Sequence, residues 1–295
     1  MSAPARSITR WMAATRPKTL LLGASPVVAG VALAAAETGQ LAPFTAALTL
    51  LASLAIQAGT NLHNDAADFE RGTDTIARLG PPRATAQGWF TPAQVKIAAY
   101  LAFGLAFVIG LLLALRGGWP IVALGLASLA AGLAYTGGPR PIAYGPLGEV
   151  FVLLFFGVAA VWGSHYLQTL SHTPGAGLLG LGLGLPAAAV LLVNNYRDLE
   201  TDRAAGRHTL AQVIGPFWTR LLYAVLLLGP FPILLAAGLP GRPWLSLAAL
   251  PLAVALIRWL WHRPGGAWLN GLLAATSGYQ AFLVLLLAFG LVLPV

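Results

Sequence analysis

Nine apolar stretches leave this 295-residue chain few ways to fold: residues 19–36, 41–63, 94–115, 119–136, 147–168, 176–196, 217–239, 243–261 and 268–293. Each is long enough to carry an α-helix across the hydrocarbon core, which takes ~20 residues. A helix is the one open-ended structure that satisfies its own backbone there. The sequence therefore predicts an all-α, polytopic membrane protein with about nine transmembrane helices in one bundle. A soluble fold is excluded because 58% of the residues are hydrophobic and only 9% charged, whereas a soluble domain carries roughly a quarter charged residues. There is no cysteine, which excludes disulfides, thiolate metal sites and cysteine nucleophiles.

Charge fixes the expected orientation. When the gaps between spans are assigned alternately to two sides, 15 of the 17 Lys and Arg fall on the side holding the N-terminus. Only Arg116 and Arg242 fall on the other. Lys and Arg are retained on the cytoplasmic side of a membrane, so the N-terminus is expected in the cytoplasm. The net charge of +8 is then a topology signal and an attraction to anionic lipid, not a nucleic-acid footprint. The first apolar run, with Gly23, Pro26 and Gly30, reads as a retained span rather than a cleaved leader. Residues 1–295 read as a single membrane-embedded domain. Residues 1–18 form a cytoplasmic interfacial N-terminus, and 64–93 and 197–216 are cytoplasmic loops.

Eight of the nine acidic residues gather at the cytoplasmic side, Glu37 being the exception. One cluster holds Asp65, Asp68, Glu70 and Asp74, and another holds Asp198, Glu200 and Asp202. The clusters resemble each other: Asn61-x-x-x-Asp65-x-x-Asp68 then Gly72-x-x-Thr75, and Asn194-x-x-x-Asp198-x-x-x-Asp202 then Gly206-x-x-Thr209. They begin at the cytoplasmic ends of the second and sixth spans, an even offset that preserves orientation. If those ends stay helical, Asn61, Asp65 and Asp68 share one face, as do Asn194, Asp198 and Asp202. Carboxylates held together persist only when something positive is shared between them. Oxygen ligands without His or Cys favour Mg2+, which bridges carboxylates to phosphate oxygens. Arg71, Arg78 and Arg83 in one loop, and Arg197, Arg203 and Arg207 in the other, match phosphate oxygens with a planar fork. The pattern implies a Mg2+–diphosphate site at a membrane surface, and a lipid diphosphate as its occupant.

These residues, with Arg16-Pro17-Lys18-Thr19-Leu20, Asn64-Asp65, Arg78-Leu79-Gly80-Pro81-Pro82-Arg83, Tyr135-Thr136-Gly137-Gly138-Pro139 and Asn194-Asn195-Tyr196-Arg197-Asp198, resemble the UbiA superfamily of intramembrane aromatic prenyltransferases. The resemblance covers nearly the whole chain. It is closest to the branch acting on 1,4-dihydroxy-2-naphthoate in menaquinone synthesis. Asp74, six residues after Asp68, follows that branch, whereas Arg207-His208 stands where the branch usually has a lysine.

The resemblance implies that Asp65, Asp68, Asp74, Asp198 and Asp202 hold Mg2+ on the diphosphate of a polyprenyl donor. Asn61, Asn64 and Asn195 orient them, and Arg78, Arg83, Arg197 and Arg207 serve the phosphates. For Asn61 and Asn195 an interhelical hydrogen bond is the competing use. Lys18, at the mouth of the first span, is a candidate partner for the acceptor carboxylate, and Tyr135 and Tyr144 are candidates for its ring pocket. The implied reaction transfers the polyprenyl group to the naphthoate with loss of CO2, in the inner membrane of a bacterium, and with other aromatic acceptors (4-hydroxybenzoate, homogentisate, a porphyrin-type ring) as alternatives. A transporter would place its ionisable groups near the bilayer midplane, unlike these. A CDP-alcohol transferase would need Gly after its first Asp, but Phe69 follows Asp68. The histidines show no metal-ligand spacing, and Trp119, Trp259, Trp261 and Trp268 read as interfacial anchors. Gly182 and Gly184 are expected to permit close helix packing.

Overall fold

The computed structural model describes residues 3–74, 79–263 and 265–293. An N-terminal helix α1 (Ala3–Ala14) precedes α2 (Pro17–Thr38), α3 (Pro43–Glu70), α4 (Pro92–Gly117), α5 (Trp119–Ala134) and α6 (Gly148–Thr169). Then follow α7 (Pro174–Arg197), the short α8 (Leu199–Ala204), α9 (Leu210–Ala236), α10 (Pro243–His262) and α11 (Leu269–Val292). Eight of these are long and apolar enough to cross a membrane. The expected fourth span, α5, is the shortest at 16 residues, and it runs from Ile121, packed on Leu113 and Leu167, to the end where Thr136 meets Asn64.

The helix boundaries follow local chemistry. Proline at the first helical position opens α2, α3, α4 and α7, where its missing N–H costs nothing. Thr91 and Gln94 form a reciprocal capping box at the start of α4. Small residues permit the closest helix approach: a Cβ at Gly184 would meet the Leu153 carbonyl oxygen at 2.5 Å, and one at Gly157 would meet the Gly180 oxygen at 2.4 Å. Gly184 thus serves backbone packing as expected, while Gly182 faces the Leu234 side chain at 3.0 Å. A π-helical turn, Leu154–Ala159, sits in α6 at that contact.

Two expected loop boundaries are corrected. Residues 64–70 are not loop, because α3 continues through Glu70 and carries the first acidic motif on its last two turns. Residues 197–216 contain α8 and the start of α9, whose helix breaks at Gly215 (φ 76°) before Pro216. Helices α2, α7, α9, α10 and α11 supply most of a buried apolar core that includes Leu33, Leu183, Tyr223 and Tyr279. Helices α2 to α7 line a cavity. Helix α1 packs Trp11 on Phe90, with ring centroids 3.9 Å apart, and leaves Ile8 and Met12 exposed.

Candidate functional site

The cavity has a volume of about 350 Å³ and two chemically distinct ends. Along α3 its wall runs from Thr49 to Asp68, which at 1.5 Å per residue is roughly 28 Å, close to the thickness of the hydrocarbon core. Leu113, Ile121 and Leu167, packed together, line the apolar end. Arg16, Asn61, Asn64, Asp68, Arg83, Asn194, Asn195 and Arg207 line the other. Charge in so apolar a bundle has to be neutralised locally.

Asp68, almost wholly buried at 1% exposure, is the centre of that end. Its Oδ1 lies 2.9 Å from Arg207 Nη2 and accepts a 3.0 Å hydrogen bond from the Tyr144 hydroxyl. Its Oδ2 is 3.4 Å from Arg83 Nη2, and Arg83 Nε is 2.8 Å from Asp74 Oδ2. Arg207 Nη1 reaches Asp202 Oδ1 at 3.3 Å. One guanidinium thus joins a carboxylate of the first motif to one of the second. Burial works against the Arg207 charge, but Asp68 and Asp202 outweigh it and hold its pKa above the ordinary arginine value. Tyr144 lies between two cations, Arg207 at 4.4 Å and Arg71 at 5.4 Å from its ring centroid.

The two motifs end alike. Gly72 and Gly206, each four residues past an Asp, both adopt left-handed backbone (φ 70° and 71°), a conformation glycine takes without strain. In both, the next residue donates its N–H back to that Asp carbonyl: Thr73 to Asp68 at 3.0 Å and Arg207 to Asp202 at 2.9 Å.

Several expected site residues stand elsewhere. The Asp65 carboxylate accepts hydrogen bonds from Ala84 N at 2.8 Å, Thr85 N at 3.0 Å and the Thr85 hydroxyl. It fastens the loop after Arg83 and is not part of the cavity wall. The face of α3 that meets the cavity carries Asn61, Asn64 and Asp68, spaced three and four residues apart. Asn61 makes interhelical contacts, donating to Thr15 O at 2.9 Å and Thr19 Oγ1 at 3.0 Å, while Asn64 accepts from Thr136 Oγ1 at 2.6 Å. Asn195 donates to the buried Glu149 at 2.9 Å. Tyr135 lines the cavity, but Tyr144 joins the two motifs behind it. Arg197 is fully buried away from the cavity and holds Asp198 through two nitrogens, at 2.8 and 2.6 Å. The Lys18 side chain and Arg78 lie outside the described residues.

Other residues here were not singled out by the sequence. Arg16 reaches the cavity from left-handed backbone (φ 55°), unusual for a side-chain-bearing residue and fixed by its place between α1 and Pro17. Its position in the Arg-Pro-Lys-Thr run was the available signal. Phe151 and Phe155, stacked with centroids 6.1 Å apart, also line the cavity, and nothing in their spacing separates them from ordinary core aromatics.

The donor set suits a hard cation: oxygen ligands predominate, and the buried carboxylates of Asp68 and Asp202 come close enough to share one positive group. Among the described residues, no three His, Asp or Glu side chains gather closely enough to form a metal cage by themselves. Mg2+ seldom uses such cages, binding one or two carboxylates together with water and substrate phosphate.

A helical bundle with two matched acidic motifs closing one end of a bilayer-deep cavity has the architecture of an intramembrane enzyme. The chain belongs to the UbiA prenyltransferase family, which it matches over residues 24–267. It is 36% identical over 260 residues to the 1,4-dihydroxy-2-naphthoate octaprenyltransferase of Escherichia coli, covering 85% of this chain and 84% of that protein. Its identity to the protein of the same name from Mycobacterium tuberculosis is 37% over 251 residues, covering 84% and 85%. Its fold is similar to a UbiA homologue from Aeropyrum pernix (TM-score 0.69, 14% identity, 93% and 97% covered). It is also similar to one from Archaeoglobus fulgidus bound to GPP and Mg2+ (TM-score 0.64, 15% identity, 96% and 99% covered).

Proposed function

We propose that this protein transfers the polyprenyl group of a polyprenyl diphosphate to 1,4-dihydroxy-2-naphthoate with loss of CO2, giving demethylmenaquinol. The single observation that carries this reading is the cavity, charged and acidic at one end and mainly apolar along the rest of a wall that is roughly 28 Å long in all. A long isoprenoid ending in a diphosphate has that same division. The names of the similar proteins supply the acceptor.

The diphosphate binds at the end lined by Arg83 and Arg207, whose guanidinium forks match its oxygens. Asp65, Asp68, Asp74, Asp198 and Asp202 are the residues that would hold Mg2+. Asp65 also anchors the loop that presents Arg83. When bound, Mg2+ neutralises charge on the diphosphate oxygens. Arg207, protonated throughout the physiological range, stabilises the negative charge that develops as the allylic C–O bond breaks. The diphosphate leaves with the electron pair. The naphthoate carbon bearing the carboxylate forms the new C–C bond, and the electrons of its bond to the carboxylate return to the ring as CO2 departs. Phe151 and Phe155 give the allylic cation aromatic neighbours instead of water. Tyr135 borders the ring, and Arg16 and Lys18 are the cations available to the acceptor carboxylate. The motifs face the cytoplasm from the inner membrane, with the N-terminus on that side.

The test is a product assay on protein in nanodiscs with Mg2+, a polyprenyl diphosphate and either 1,4-dihydroxy-2-naphthoate or 4-hydroxybenzoate. Prenylated naphthoquinol with equimolar CO2 is expected. Product from the benzoate alone would overturn the acceptor, and an absence of Mg2+-dependent diphosphate binding would overturn the site.

A further inference from the structure

We propose that Asn270, in the first turn of α11, is a positioning residue that sets the two acidic motifs in register by joining the loop before Arg83 to Arg197. The inference rests on the diphosphate reading above and names a residue outside both motifs. Asn270 Nδ2 donates to Leu79 O at 2.6 Å, and its Oδ1 accepts from Arg197 Nη1 at 2.8 Å. Arg197 spends its remaining donors on the second motif: Nε and Nη2 on the Asp198 carboxylate, and Nη2 also on Asn194 Oδ1 at 2.9 Å. Asn194 lines the cavity. A continuous polar chain therefore runs from the backbone of the first-motif loop, through one side chain of the last helix, to the cavity-facing end of the second motif.

An amide meets the chemistry of this position. Leu79 offers only an acceptor and Arg197 only donors, so the residue between them must donate to one and accept from the other. That requirement also fixes which end of the amide faces which partner. The link to Arg83 is short and stiff: Leu79 is separated from it by Gly80, Pro81 and Pro82, and two of those three have φ fixed by the ring. Holding the Leu79 carbonyl therefore constrains Arg83, which pairs with Asp68 and Asp74. Arg197 is itself buried and charged, and the Asn270 oxygen is one of the acceptors that make its burial tolerable. Asn270 touches neither cavity nor diphosphate arginine. It acts through residues that do.

The experiment compares wild type, Asn270→Ala, Asn270→Asp, Arg197→Ala and the Asn270→Ala/Arg197→Ala double variant in nanodiscs. The readouts are calorimetric binding of geranylgeranyl diphosphate with Mg2+, and KM for donor and acceptor separately. Loss of the amide should weaken donor binding and raise donor KM about 10-fold, the scale of a lost charge-assisted bond, with acceptor KM within about twofold. Asn270→Asp keeps the bond from Arg197 but cannot donate to Leu79, so it should fall between wild type and alanine. It carries the test if Asn270→Ala does not accumulate as folded protein. In the Arg197→Ala background, Asn270→Ala should add little. Unchanged donor affinity in Asn270→Ala, an equal rise in both KM values, or full additivity in the double variant would overturn the inference alone. Wild-type protein that binds no diphosphate would overturn the functional reading and this inference with it.

Discussion

Thr73 and Arg207 hold equivalent places in the two acidic motifs, each following a left-handed glycine, and they bond to each other, Arg207 Nη2 donating to Thr73 Oγ1 at 3.1 Å. The internal repeat thus closes on itself at the polar end of the cavity. At this pair the copies differ in their side chains: a hydroxyl on one, a guanidinium on the other. The guanidinium is the group that spans both acids.

Arg207→Gln should lower kcat/KM by about 10²–10³, the scale of one preorganised group lost from a developing anion. Arg207→Lys should recover part of this, because it restores the charge but cannot reach Asp68 and Asp202 together. Steady-state kinetics with saturating acceptor checks both.

Asp65 and Asp68 are separated by different readouts. Asp65→Ala leaves the N–H groups of Ala84 and Thr85 without their acceptor inside the protein, at a cost of about 1–3 kcal/mol. Its thermal midpoint should fall, and activity should fall through the displaced loop. Asp68→Asn should also lower the midpoint, because it takes a buried counter-charge from Arg207 and Arg83, and in addition it should abolish Mg2+-dependent diphosphate binding. Calorimetry beside thermal unfolding in one detergent distinguishes the two.

Tyr144→Phe retains the ring between Arg71 and Arg207 and removes only the hydroxyl that donates to Asp68. A loss of about 1 kcal/mol in transition-state stabilisation is expected, roughly 5-fold in kcat/KM. Tyr144→Ala, which also removes the cation–π contacts, should cost substantially more. Equal effects from the two would contradict a hydroxyl role.

Gly110 lines the cavity one turn from Leu113, and a Cβ there would meet nothing within 4 Å. Gly110→Phe should therefore fold normally and fill the apolar end. It should turn over geranyl diphosphate at near wild-type rate while losing activity with octaprenyl diphosphate. Ile121→Ala, at the apolar end, should shift the preference the other way. Competition between the two donors, read by mass spectrometry, gives the ratio directly.

The spans, the charge asymmetry and the two acidic motifs were legible in the sequence because each depends on length or local spacing. The face of α3 was not. Asn61, Asp65 and Asp68 suit one helical face as well as Asn61, Asn64 and Asp68 do. The choice is made by Ala84 and Thr85, which arrive from a loop far along the chain and take Asp65 for themselves. The contacts of Tyr144 are set the same way, by Thr73 and Asp68 from 71 and 76 residues away. Asn270 carries no local signal at all; its partners lie 73 and 191 residues away.

The length of the cavity has a thermodynamic consequence. A polyprenyl tail already dissolved among acyl chains gains little by moving into an equally apolar wall, because lipid is no poorer a solvent for it than leucine. The free energy that selects the donor must then come almost wholly from the end lined by Arg83, Arg207 and Asp68. In the proposed reaction, cutting away the diphosphate would take from the prenylated ring the group assigned to those residues, and the bilayer would reclaim the tail at small cost. Affinity for substrate and escape of product are thus set by the same few polar atoms, with the apolar walls acting as a ruler rather than a trap.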